Sequence, residues 1–343
     1  MTAAQWLLVL SWAGLTLYAL LGGADFGGGF WDALAGGARR GLAGRRLIEH
    51  SIGPVWEANH VWLIFVIVMF WTCFPTIFAS VASTLYIPLM LVAIGIIARG
   101  AAFAFRKAST ELWQLRLFGG AFALSSVLTP FFLGTIAGGI ASGRVPYGLA
   151  KGDAVTSWWN PTSALAGTLA VGTTAYLAAV YLTGDAHRSG HPQLVRAFRL
   201  RGLITAAVTG AVAIGGIAVL HGDAPRLYAG LTGRALPLVV LSAIAGLASI
   251  ALLTAQRFRL ARVTAALAVA AVLWGWALAQ YPVMLPPHVT VSDAAATPAV
   301  LHATLATVAV GMVFLIPSLL WLLTLFQHAH QPARPDDGPA RTP

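Results

Sequence analysis

Apolar residues run along this chain in long uncharged blocks, without the alternation of soluble strands or the one-sided spacing of surface helices. The longest block, Val61–Ala98, holds 38 residues without one Asp, Glu, Lys or Arg. At about 1.5 Å rise per residue it is too long for a single crossing of a hydrocarbon layer about 30 Å thick. Pro75 supplies a break, because proline disfavours helix in the residue before it, here Phe74. The blocks then predict nine membrane spans, roughly 5–34, 53–73, 76–104, 117–141, 162–183, 202–220, 235–255, 263–281 and 298–326. Pro88 and Pro317 fall inside spans, where membrane helices tolerate proline as a kink. The expected fold is an all-α integral membrane protein. Residues 1–141 and 162–281 each hold four spans, so two four-helix bundles plus a last helix at 298–326 make up a membrane domain of residues 1–330. The proline-rich, mixed-charge tail at 331–343 reads as disordered.

Charge sets the orientation. The first, third, fifth and seventh connections together with the tail carry sixteen Lys and Arg, and the even-numbered connections carry four. That bias places the N-terminus outside and the C-terminus in the cytoplasm. Trp71, Trp158, Trp159, Trp274 and Tyr281 fall near the outer interface, and Phe103, Phe105 and Trp113 near the inner one. The net charge of +10 is therefore a topology signal and not a nucleic-acid footprint. Composition agrees, with 58% hydrophobic residues, 9% charged residues and a mean hydropathy of +0.79. A water-soluble domain of this size is not so poor in charge. Cys73 is the single cysteine, which excludes an intrachain disulfide. The first apolar run, Thr2–Ala24, lacks a basic start and is followed by Asp25, so it reads as a mature helix and not as a cleaved signal.

Within so apolar a chain the informative residues are the polar ones. Of eleven acids, Asp25, Asp32 and Glu57 lie in or beside apolar helix, and the others are read as loop or tail residues. A charge at mid-membrane costs at least about 2.5–3.5 kcal/mol, so such groups face a bundle interior or water. Asp25, Glu57 and Arg99 fall at a similar depth on three consecutive spans, which predicts one polar site. It reads as a structural Arg–carboxylate pin between helices, with Arg99 the charge partner of Asp25 or Glu57, or as a path for protons or ions, and both can hold at once. Glycines 22, 23, 27, 28 and 29 surround Asp25, and Gly23 and Gly27 have the spacing that lets membrane helices approach closely. "EANH" sets Glu57 and His60 one turn apart, with Asn59 between them. The same spacing serves di-iron bundles, but these need a second copy that the chain lacks. His60, His221 and His302 are the histidines that a haem would use, and core hydrogen bonding is the default for each. His187 with His191, and His328 with His330, read as solvated loop histidines. No metal site is expected. Walker, HExxH, CxxC and dinucleotide motifs are absent.

"GGADFGGGFWDAL", then a basic stretch, then "SIGPVWEANHVWLI", continued by "FPTIFA" and "IIARGAAFAFRK", resembles subunit II of the cytochrome bd quinol oxidases. The resemblance implies a multi-pass protein of the bacterial plasma membrane. It would pair with a subunit I that carries haems b and d and oxidises quinol, and the complex would reduce oxygen to water with protons from the cytoplasm. Small single-helix subunits can accompany such a pair. This chain would hold no haem, although some relatives hold a structural quinone. Glu57 matches the acid assigned to a proton route, Asp25 the acid of the first-helix Asp-Phe-Gly motif, Trp62 a tryptophan beside the oxygen route, and Arg99 a basic position of the third helix. Asn59 and His60 would steady Glu57. Two departures stand out: some members carry Asp where this chain has Glu57, and His60 stands where others have Glu or Gln. The competing reading is a secondary transporter or proton channel working alone, which would use intramembrane acids and glycine-rich helices in the same way.

Overall fold

A capping box starts the first helix: the Thr2 hydroxyl accepts from the Gln5 N–H, and the Gln5 side chain accepts from the Thr2 N–H. This helix, α1 (Ala3–Ala33), is followed by α2 (Leu42–Ile52), α3 (Trp56–Cys73), α4 (Pro75–Thr84), α5 (Tyr86–Ala108) and α6 (Leu112–Ala141). The second half holds α7 (Pro161–Arg188), α8 (Pro192–Asp223), α9 (Pro225–Thr232), α10 (Leu236–Thr254) and α11 (Phe258–Gln280). A short antiparallel hairpin, β1 (Val283–Leu285) with β2 (Val289–Thr290), then α12 (Val291–Ala294) and α13 (Pro298–His328) follow. The computed structural model describes residues 1–36, 41–52, 56–109 and 111–328, giving the backbone alone at residues 56–58 and at a few other helix positions. The expected disordered tail lies outside the described residues.

Among those residues, α1, α5, α6, α7, α8, α10, α11 and α13 are each long and apolar enough to cross a bilayer. The pair α3 and α4 raises the number to nine if it is counted as one bent span. Pro75 breaks the long apolar run as its sequence suggests, but residues 76–104 do not form one span. The short helix α4 turns away from α3 by 117°, and the crossing helix is α5, beginning at Tyr86. Pro88 therefore lies in the first turn of α5, where its missing N–H would have had no partner, and it makes no mid-span kink. Among the described residues, Pro130 and Pro317 lie in helix interiors.

Three polar stretches that read as loops are helical. Leu47 and Ile48 are buried while Arg46, Glu49 and His50 are exposed, and this one-sided pattern makes α2 an amphipathic helix against the bundle. Arg196, Arg199 and Arg201 belong to the opening turns of α8, which extends beyond its apolar part. Asp185 is likewise not a loop residue. It lies in the last turn of α7, paired with Arg262 of α11 and with Arg188.

Small side chains decide how the helices pack. With lipid around them, membrane helices gain little from hydrophobic burial against each other and depend on close van der Waals fit. α1 packs against α3, α6 and α7, and α7 in turn against α8 and α11. Trp31 of α1 and Leu47 and Ile48 of α2 bury against Ala175, Ala178, Ala179 and Leu182 of α7, with Phe198 of α8. At the opposite end, Leu7, Met69, Cys73, Phe74, Leu85, Met284, Leu285 and Leu301 form a second apolar cluster that seats the hairpin and the start of α13. There the Asp223 carboxylate accepts both Arg144 nitrogens, at 3.0 and 2.5 Å, and the Thr162 hydroxyl and N–H. This polar clasp ties the α6–α7 connection to the end of α8.

Gly27 sets the α1–α7 distance. A Cβ there would stand 1.9 Å from the Thr174 carbonyl oxygen and 2.7 Å from the Ala178 Cβ, whereas one at Gly23 would meet only the Thr174 methyl at 3.4 Å and the Leu177 side chain at 3.9 Å. Gly27→Ala is therefore expected to destabilise the bundle by about 1–3 kcal/mol, the usual range for overpacking. Gly23→Ala should be tolerated. Thermal denaturation of the detergent-extracted protein reads both variants, and equal midpoints would show that α1 and α7 are not held this closely.

Candidate functional site

Seven residues is close to two helical turns, so residues i and i+7 project from nearly one face. Asp25 and Asp32 on α1 have this spacing, and so do Arg99 and Arg106 on α5. The two helices meet through these side chains in two rungs.

The deeper rung is built around Arg99, of which 2% is exposed. Its Nη2 donates to the Asp25 carbonyl oxygen at 2.7 Å, and its Nη1 donates to the Ser126 hydroxyl of α6. The Ser126 hydroxyl in turn donates to the Phe122 carbonyl at 2.6 Å. The guanidinium lies over the rings of Phe26 and Phe122, 4.8 and 4.6 Å from their centroids. A desolvated cation–π contact contributes about 2 kcal/mol, so two rings offset part of the cost of burying the charge. Gly29 makes the space: a Cβ there would lie 2.0 Å from the Ser126 oxygen and 3.0 Å from Nη1 of Arg99.

Asp25 is itself 8% exposed. Its carboxylate accepts a hydrogen bond from the Asn59 amide of α3 at 2.5 Å, while Arg99 bonds its main chain. The acid is thus buried, oriented and close to a positive charge, yet among the described residues no ion pair fixes its carboxylate. That distinction is chemical, because a buried carboxylate clamped by two guanidinium groups, as at Asp32, is a poor proton acceptor and an amide-bonded one can take a proton.

The outer rung is different. The Asp32 carboxylate meets Arg106 at 2.7 Å and Arg45 of α2 at 3.2 Å, and the second Arg106 nitrogen reaches the half-exposed Glu49 at 3.0 Å. Here the carboxylate of α1 is held by two arginines, which makes this rung a pin between α1, α2 and α5. A cavity of about 260 Å³ opens beside it. Its lining is polar at Asp32, Glu49 and Arg106 and apolar at Ile48, Phe103, Leu115 and Phe122. Phe122 thus separates this cavity from Arg99, and stacks on that arginine.

Of the residues expected from sequence, Asp25, Asn59 and Arg99 come together. Asn59 gives its amide to Asp25. Glu57 lies in the first turn of α3, two residues before Asn59, and its side chain is outside the described residues. His60 packs between Tyr18 and Phe26, at ring distances of 5.9 and 6.1 Å, and so shares Phe26 with Arg99. Trp62 stands half-buried farther along α3, edge-on to Phe65, and joins no polar group of the cluster. His221 packs on Tyr228 and His302 is exposed on α13, so the three histidines have separate surroundings. Among the described residues no three His, Cys, Asp or Glu side chains gather as a metal site. Ser126, Phe122 and the Asp32–Arg106–Glu49 cluster were not singled out from sequence. The paired seven-residue spacings were the signal that could have found the outer rung.

Comparison with known proteins gives a consistent result. The family described as cytochrome bd terminal oxidase subunit II matches residues 3–326. The chain is 32% identical over 119 residues to the cytochrome bd ubiquinol oxidase subunit 2 of Bacillus subtilis, an alignment that spans 35% of this chain and only 34% of that protein. A second B. subtilis protein, described as a candidate cytochrome bd menaquinol oxidase subunit II, is 22% identical over 325 residues, which cover 92% of this chain and 93% of that one. Among solved structures, a chain of the bd oxidase from Geobacillus thermodenitrificans superposes with a TM-score of 0.75 at 25% identity, covering 95% of this chain and 99% of the other.

Proposed function

The chain belongs to the cytochrome bd terminal oxidase subunit II family, and from that premise we infer that it works as the second subunit of a membrane quinol oxidase, reducing oxygen to water with quinol electrons. It is a multi-pass protein of the bacterial membrane, and the family implies haem in the assembled complex. The haems b and d reside on the partner, subunit I, and this chain holds and shields that partner within a heterodimer to which small single-helix subunits can attach. A structural quinone on this chain is compatible with its apolar surface.

Reducing oxygen to water consumes protons, and the basic end of the bundle is the cytoplasmic side from which they come. The proton path runs through Asp25 and Glu57, with Asn59 orienting Asp25 and His60 lying beside it. Arg99 supplies the neighbouring positive charge, and Trp62 borders a route for oxygen. The two halves of the chain, 1–141 and 162–281, act as related four-span bundles joined by α1 and α7. One observation carries the proton role: the Asp25 carboxylate is buried, held by an amide, and left without an ion pair among the described residues. A structural pin is a better description of Asp32, whose carboxylate is held by two arginines.

Purification with and without the partner tests the division of labour. The complex is expected to show a Soret band and this chain by itself none. Stoichiometric haem on the isolated chain would overturn the assignment of the haems to the partner.

A further inference from the structure

The path through Asp25 and Glu57 leaves the cavity beside the outer rung without a role. Its lining is informative: it includes Asp32, Glu49 and Arg106, and also Phe122, the ring that covers Arg99. Its volume of about 260 Å³ has room for several waters, and a water site needs only a few polar partners. Those partners are present. Glu49 stands at the solvent side with 47% of its side chain exposed, whereas Asp32 on the inner side is 6% exposed. The cavity therefore leads from a surface carboxylate to a buried one, and Asp25 lies two turns farther along the same helix, about 10 Å away.

Resting on the proton-path reading, we propose that this cavity is the hydrated vestibule through which protons enter, with Glu49 as the collecting group at its mouth. Arg106 is the positioning residue. Asp32 fixes one side of its guanidinium, and the other side holds Glu49 at the opening. A proton from bulk water binds a Glu49 carboxylate oxygen, passes to water in the vestibule, and moves inward past the Phe122 ring to Asp25. At each step one O–H bond breaks as the next forms, so no further reactant is needed. Phe103, Leu115 and Phe122 form the apolar wall, which keeps the water column narrow.

The test uses the whole complex in inside-out vesicles. Leu115→Cys places a thiol on the vestibule wall, and the chain's own Cys73 is fully buried and serves as the unreactive background. A membrane-impermeant, negatively charged methanethiosulfonate is added, and labelling and oxygen consumption are measured. The expected result is rapid labelling of Leu115→Cys with loss of most of the oxygen-consumption rate, the haem spectrum remaining unchanged. An inert thiol, or a labelled complex with full activity, would overturn the vestibule. Glu49→Gln should slow oxygen consumption and Glu49→Asp should restore it; equal rates in all three would remove Glu49 from the route. Failure of the wider reading is distinguishable: Asp25→Asn and Glu57→Gln would then retain full activity, whatever happens at Leu115.

Discussion

Arg99→Leu is expected to remove most of the assembled complex from the membrane. Replacing both partners of a buried charged contact by apolar groups can be neutral, but removing one leaves the other in an environment built for the pair. Here the loss is threefold. The Asp25 carbonyl and the Ser126 hydroxyl lose a charged donor, Phe26 and Phe122 lose the group between their rings, and Asp25 loses its nearest buried positive charge. A hydrogen bond from a charged donor contributes about 1.5–3 kcal/mol, so the loss of two is a large part of the roughly 5–15 kcal/mol that stabilises a typical fold. The yield of haem-containing complex after mild detergent extraction measures the effect. Arg99→Leu combined with Asp25→Asn should recover part of the yield, because the uncompensated acid is gone. Wild-type yield in the single variant would show that Arg99 is not the keystone of the inner rung.

Asp25→Asn and Glu57→Gln are expected to do the opposite, leaving assembly intact and slowing turnover. Asparagine at 25 keeps an oxygen that accepts the Asn59 amide, and it leaves the main-chain bond to Arg99 untouched. What it loses is the ability to carry a proton. Positioned proton transfer contributes about a hundredfold or more to the steps that depend on it, so a fall of about tenfold or more in steady-state oxygen consumption is a conservative expectation. Glu57→Asp should retain much of the activity, since the acid is shortened by one methylene and not removed.

The sequence made the span pattern readable because it depends on local composition: uncharged blocks of sufficient length, broken at Pro75. It did not show that Pro75 would launch a separate helix turned 117° from α3, because that turn goes with the packing of Ile77 and Leu85 against the hairpin and α13. Arginine-rich stretches read as loops for a similar reason. Arg196, Arg199 and Arg201 carry charge enough to leave the hydrocarbon, and charge says nothing about whether the helix continues into water.

At the site, Asp25, Asn59 and Arg99 were legible as polar groups at one depth, but not the atoms that join them. Depth alone suggests a carboxylate–guanidinium pair, and the resemblance reads Asn59 as support for Glu57. The folded chain sends Arg99 to a main-chain carbonyl and Asn59 to Asp25. Such choices depend on room across three helices, here opened by Gly29 and closed by Ser126 and Phe122. Asp32 lies in or beside apolar helix but outside the level shared by Asp25, Glu57 and Arg99. Only its spacing from Asp25, matched by that of Arg106 from Arg99, marks it as the second rung.

Proton uptake in a single turnover tests the central claim most directly. The fully reduced complex is mixed with oxygen in inside-out vesicles, where a pH dye in the outer medium reports uptake at the cytoplasmic face and haem absorbance reports electron transfer. For Asp25→Asn and Glu57→Gln, oxygen binding and the first electron transfer should keep their wild-type rates while proton uptake lags by about tenfold or more. Uptake at the wild-type rate in both variants would contradict the account and leave the inner rung as a structural element only.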